Sequence, residues 1–159
     1  MSKFFVSFFF LSLFLSAQSI YFKESKYHEA LGSSFSKRGQ IFFLDRGIKI
    51  IYSTQTLFYK HDTLRVEKGD KTYYINLDKK PSVKMFFILF EAIYFEKKKV
   101  LRRYFKITKN KNKKTIHLIP RQGINRYIDS VSYQKIGKKL KFLQINLSSK
   151  DRICIEEIY

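Results

Sequence analysis

The chain has 159 residues and a formal net charge of +19, from 32 lysines and arginines against 13 aspartates and glutamates. Its single cysteine, Cys154, excludes an intramolecular disulfide. Its three histidines, His28, His61 and His117, stand far apart with no second ligand at metal spacing, which argues against a metal site.

Basic Lys3, an apolar run over residues 4–15 and the small residues Ser16, Ala17 and Ser19 have the order of a secretory signal. Cleavage is expected after Ser19, with Ala17 as the second site. The apolar run is shorter than the ~20 residues a membrane-spanning helix requires. Residues 20–159 are therefore expected as one exported, soluble domain with one core, monomeric and held by packing alone. Removing residues 1–19, whose only charge is Lys3, leaves +18. Such a charge attracts phosphates and anionic lipid without specific contacts. The excess is mostly lysine, the poorer residue for bidentate phosphate recognition. A nucleotide bias toward A and T would produce the same enrichment in Lys, Phe, Ile, Tyr and Asn.

Residues 20–39 are polar and mixed, and read as a short helix or strand followed by a turn at Gly32, Ser33, Ser34 and Ser36. Residues 41–44 and 48–52 are apolar runs on either side of Asp45, Arg46 and Gly47, which predicts a hairpin. Strands are predicted over 56–59, 63–66 and 71–77, with turns at His61 and Asp62 and around Gly69; Tyr73, Ile75 and Leu77 alternate onto one face. The period changes at Pro81. Residues 83–95 are apolar on nearly all sides apart from Lys84 and Glu91, and predict one buried helix with proline at its start.

A basic tract follows from Lys97 to Lys114 and reads as a charged rim joining two strands, with a turn at Asn110 and Asn112. Strands are predicted over 115–119, 126–133, 139–147 and 152–158. The apolar phase switches between Phe142 and Leu143, which predicts a bulge or a strand apolar on both faces. The adjacent pairs Phe42 and Phe43, Ile50 and Ile51, and Phe142 and Leu143 imply a sheet covered on two sides. One cover can be the helix and the other a ligand.

The chain has no glycine-rich phosphate loop, nucleophile elbow or paired metal-ligand motif. Glu24 and Glu29 near His28, and Glu156 with Glu157, have the spacing of solvated charges. A non-catalytic protein without a cofactor is expected. No helix is both basic and long enough to enter a nucleic-acid groove, and nucleic acid is not an expected partner.

Gly39 and the strand after it, Arg46 in a basic turn, and a strand ending in Tyr52 are followed by the tyrosine-bearing residues 71–77. Later come Phe105 and Ile107, Leu118 and Pro120, and the closing Asp151, Arg152, Ile153, Cys154 and Ile155. This order resembles the outer-membrane lipoprotein carrier (LolA-like) family. The chain departs from the family at Gly47, where a proline is usual, in lacking a proline soon after Tyr52, and in a short N-terminal helix.

The resemblance implies a mainly β, α+β fold: an open, incomplete antiparallel β-barrel whose concave apolar face is covered by a central lid helix. It implies a periplasmic carrier that shields lipoprotein acyl chains, or a related lipid, between an inner-membrane release complex and an outer-membrane acceptor. Arg46 stands where the family has an arginine that holds the lid closed by bonding to backbone near it. The candidate lid residues are Phe86, Phe87, Leu89, Phe90 and Ile93. The candidate wall residues are Ile50, Tyr52, Tyr73 and Ile75. The competing expectation is a basic envelope protein with a closed core that binds anionic headgroups or lipopolysaccharide at its surface.

Overall fold

The computed structural model describes residues 18–109 and 114–158, so residues 1–17 of the expected leader and the predicted turn at Asn110 and Asn112 lie outside the described residues. Strands β1 (Gln18–His28) and β2 (Ser33–Leu44) form a long hairpin, and β3 (Gly47–Tyr52), β4 (Thr56–Lys60), β5 (Thr63–Lys68) and β6 (Lys71–Asn76) extend it as a meander. Helices α1 (Pro81–Tyr94) and α2 (Lys98–Tyr104) follow. A second meander runs through β7 (Phe105–Lys109), β8 (Ile116–Pro120), β9 (Ile128–Ile136), β10 (Lys139–Leu147) and β11 (Arg152–Ile158).

The two meanders are zipped into one antiparallel eleven-stranded sheet, ordered β6-β5-β4-β3-β2-β1-β11-β10-β9-β8-β7. The seam is β1 against β11, in register from Tyr21 with Ile158 to Tyr27 with Arg152. The sheet does not close. Its edges are β6 and β7, and the chain passes from one to the other through α1 and α2. The fold is therefore the open, barrel-like α+β arrangement expected.

Alternation assigns the faces, because directly paired residues point the same way. One inner row runs Ile20, Ile41, Ile50, Leu57, Val66 and Tyr73 across six strands. On the other side of the seam, Ile153, Ile145, Val131, Leu118 and Ile107 make a similar row. Most of these residues are buried, as are Met85, Phe87, Leu89, Phe90, Ala92, Ile93 and Tyr94 of α1, and no polar or charged residue is buried among the described residues.

Four expectations need correction. Of the short helix or strand expected at the start, the strand is present over residues 18–28 and is followed by one 3-10 turn at Glu29–Leu31, but Ser33, Ser34 and Ser36 lie within β2 rather than in a turn. Gln18 and Ser19 pair with Phe43 and Phe42, so β1 begins before Ile20. The first part of the basic tract is helix α2, not a strand, because Leu101 is buried while Val100 and Tyr104 pack against the core. The sheet has one fully buried face, since Phe43, Ile50 and Leu143 are buried whereas Phe42, Ile51 and Phe142 are only half-buried. The predicted irregularity in β10 is present as a register shift that leaves Lys141 as the extra residue between Leu140 and Phe142.

Two glycines let the strands bend and cross. Gly39 sits between Phe22 and Tyr52 in one cross-strand row, and the two rings meet edge-on over it at 5.7 Å. A Cβ at Gly39 would lie 2.8 Å from the Phe22 ring and 2.7 Å from the Ile51 carbonyl oxygen. At Gly47, where β3 crosses the end of β4, a Cβ would lie 2.2 Å from the Tyr59 carbonyl oxygen. Proline cannot replace alanine's problem there, since its ring carries the same Cβ. Gly39→Ala and Gly47→Ala are each expected to destabilise by about 1–3 kcal/mol, read as a lower urea midpoint, with Gly47→Ala the worse because its backbone clash is tighter, 2.2 Å against 2.7 Å.

Candidate functional site: an apolar groove under the central helix

Helix α1 starts where Pro81 supplies the first helical φ, after Leu77–Lys79 is capped by the Asn76 side chain accepting from the Asp78 amide at 2.9 Å. Its aromatic side chains lie against the first meander. Phe43 stacks on Tyr94 at 4.2 Å and on Phe90 at 5.7 Å, and Tyr59 stacks on Phe87 at 4.5 Å.

One side of the N-terminal half of the helix, beside the buried Met85 and Phe87, borders an open groove. A groove of about 300 Å³ remains between Val83, Phe86 and Phe87 on the helix and Ile50, Tyr52, Leu57 and Leu64 on the strands, with Leu147 and Ile153 from the second meander. Its size is at the lower end of the ~300–1,000 Å³ typical of small-molecule sites. Lys26, Lys37 and Glu24 form its rim. Glu24 accepts a 2.5 Å hydrogen bond from the Tyr52 hydroxyl and lies 3.4 Å from the Lys37 ammonium, which sits 4.0 Å above the Tyr52 ring. Burial first, and then the Glu24 charge, push the Tyr52 phenol far above its ordinary value, so it stays a neutral donor.

The predicted residues divide three ways. Ile50, Tyr52, Phe86 and Phe87 line the groove. Leu89, Phe90 and Ile93 are buried core that fastens the C-terminal half of α1 to the sheet, and do not line it. Tyr73 and Ile75 are on inner rows but on the edge strand beyond the helix; neither lines the groove, and Tyr73 is 44% exposed. Arg46 is in the β2–β3 turn, where it makes no hydrogen bond or ion pair to α1 among the described residues, and it lines a different groove at the tips of the β2–β3 and β4–β5 hairpins.

Other residues hold the helix. At its start, Lys84 reaches Asp62 in the β4–β5 turn at 2.6 Å and Asp78 at 2.8 Å. At its end, Lys135 of β9 donates to the Tyr94 carbonyl oxygen at 2.9 Å and to Glu96 at 3.1 Å, and the Gln18 amide donates to the Tyr94 hydroxyl at 3.0 Å. Lys97 pairs with Glu91 on the helix itself. The isolated charge of Lys84 in an apolar run was a visible signal, but its partners were not.

The candidate acid and base residues are apart in role. Glu24 is engaged by Tyr52, His28 faces Asp151 at 3.5 Å, and Glu157 accepts from the Leu140 amide at 2.8 Å.

Its hydrogen bonds to Asp62 and Asp78 raise the Lys84 ammonium above its ordinary 10.5, so this contact persists below that pH and is lost only as pH rises through the raised value. The hydrogen bond from Lys135 holds the Glu96 carboxyl below its ordinary 4.5, so this contact is present above that pH and is lost as pH falls through the lowered value. Both ends of α1 are thus held at neutral pH: the Lys84 pairs are exposed, individually weak and screened by salt, whereas Lys135 is only 12% exposed beneath its contacts to Tyr94 and Glu96. The double substitution Lys84→Ala and Lys135→Ala is expected to speed amide exchange in α1 while that of β2 and β3 is unchanged; equal acceleration everywhere would mean global destabilisation instead. Comparison with protein-family models and with curated proteins gives no match for this chain.

Proposed function

We propose that this protein is a carrier that shields acyl chains in the groove between α1 and the concave face of the sheet. The observation that carries the reading is that this groove is walled by aliphatic and aromatic side chains while its charges are confined to the rim at Glu24, Lys26 and Lys37. Burial of an acyl chain contributes about 0.8 kcal/mol per CH₂, so even a partly covered chain gains substantially.

The groove as it stands accepts only part of a lipid. More room requires the N-terminal half of α1 to lift, which breaks the exposed contacts of Lys84 and the stack of Phe87 on Tyr59. A cover that moves also permits release, which a tightly packed plug would not. The resemblance to outer-membrane lipoprotein carriers makes lipoproteins the first cargo to test, with export to the periplasm, an inner-membrane release complex as donor and an outer-membrane acceptor. Cleavage after Ala17 suits this fold better than cleavage after Ser19, because the latter removes the bond from Gln18 to Tyr94 and two paired residues of β1.

Titration with a fluorescent fatty acid or a diacylated peptide tests the proposal. Uptake is expected to persist in 1 M NaCl, as apolar burial does not depend on screening. Val83→Trp, which fills the groove mouth at a residue already 36% exposed, is expected to weaken uptake by about 10-fold or more, as a blocked pocket forfeits burial of at least two methylenes. Absence of uptake, or its loss in high salt, would sink the carrier reading.

A further inference from the structure

The outer face of the first meander carries a ladder in which aromatic and cationic residues alternate in direct register: Phe42, Lys49, Phe58, Arg65 and Tyr74. The Lys49 ammonium lies 5.9 Å from the Phe42 ring and 5.1 Å from the Phe58 ring, and the Arg65 guanidinium lies 4.0 Å over Phe58. Beside this ladder, the tips of the β2–β3 and β4–β5 hairpins enclose a groove of about 420 Å³. Arg46, Lys60 and His61 line it from the two tips, Arg65 and Tyr74 from the neighbouring strands, and no aspartate or glutamate lines it.

Of the nearby acids, exposed Asp45 at the β2–β3 tip lines a different pocket, and two others are engaged. Asp62 is held by Lys84 at 2.6 Å, and Glu67 meets one Arg65 terminal nitrogen at 3.3 Å. The Arg65 Nε is shut off from solvent and has no acceptor, the only buried side-chain nitrogen or oxygen among the described residues in that condition. An N–H so placed costs free energy, and what Arg65, 38% exposed, offers a ligand is its terminal nitrogens rather than this covered Nε. A guanidinium fixed by stacking and by one carboxylate presents its remaining donors in a plane that suits a phosphate.

We infer that this outer groove is a binding site for a phosphate group, with Arg65 as the planar donor, Arg46 and Lys60 as flanking charges and Tyr74 as a wall for whatever the phosphate is attached to. It is separate from the apolar groove, since it lies at the hairpin tips and the two share no lining residue. The site stands whether or not the inner groove carries acyl chains. The phosphate can belong to a soluble phosphomonoester or to an anionic lipid headgroup.

The experiment is NMR titration of the folded protein with glycerol 3-phosphate at constant ionic strength, paired with flotation on vesicles of phosphatidylglycerol and of phosphatidylcholine. The Arg65 guanidinium resonances are expected to shift on phosphate addition. The double variant Arg46→Gln and Lys60→Gln is expected to weaken binding by about 10-fold or more. The control double variant Lys138→Gln and Lys141→Gln, at the exposed end of β10 five strands from β4, removes equal charge and is expected to change it by less than about 2-fold. Binding of glycerol 3-phosphate supports the site and identifies a soluble ligand as sufficient. Binding only to phosphatidylglycerol vesicles, lost in the first double variant and kept in the control, supports it and identifies a headgroup. Equal weakening by both double variants, or no binding in either format, overturns it and leaves only the diffuse field of a basic protein.

Discussion

A 14-residue helix, joined only by the short α2, has to cover the inner face of an eleven-stranded sheet. The helix is ~21 Å long at 1.5 Å per residue, whereas eleven strands laid flat would span ~48 Å at their usual spacing. A flat sheet would leave most of its apolar rows in water. Curling around the helix is the arrangement that buries them, and the chain path enforces it, because the helices that fill the concavity also join the two sheet edges. The glycines serve the same end: Gly39 lets Phe22 and Tyr52 close over β2, and Gly47 lets β3 pass close to β4.

Curvature gives the two faces different chemistry. Inside, rows such as Ile20, Ile41, Ile50 and Leu57 meet the aromatics of α1, and charge appears only where the rows run out at Glu24, Lys26 and Lys37. Outside, half-buried aromatics are shielded not by a second layer but by the aliphatic stems and charges of Lys49 and Arg65 lying over their rings. The high positive charge therefore has a structural use on this face, covering apolar surface without closing it to ligands.

The helix is held by two kinds of contact with different consequences. Aromatic stacking of Phe43, Phe90 and Tyr94 is buried and indifferent to salt, and it fastens the C-terminal half. The contacts of Lys84 are exposed and screened, and they hold the half that borders the groove. Opening the groove by a hinge at the C-terminal half requires breaking both the Lys84 contacts and the buried stack of Phe87 on Tyr59.

The order of elements was largely legible in the sequence. Alternating apolar residues and the turns at Asp45 and Arg46, His61 and Asp62, and Gly69 located β3 to β6, Pro81 located α1, and the phase change near Phe142 located the bulge. Helix α2 was not legible because four of its seven residues are basic, which leaves Val100, Leu101 and Tyr104 alone to mark a helical face in less than two turns. Alternation also assigned Tyr73 and Ile75 to the inner rows, and there its information ended. Which part of a row is covered depends on how far the sheet curls and where the crossover helix lies. Those are set by contacts between residues distant in sequence, such as Lys84 with Asp62 and Phe43 with Tyr94. The same is true of the outer groove: Arg46, Lys60, Arg65 and Tyr74 are ordinary turn and strand residues in the sequence, and only strand pairing brings them together. The sequence by itself determined which way each side chain points, because that follows from the local two-residue period. Only the tertiary structure decided what each one faces.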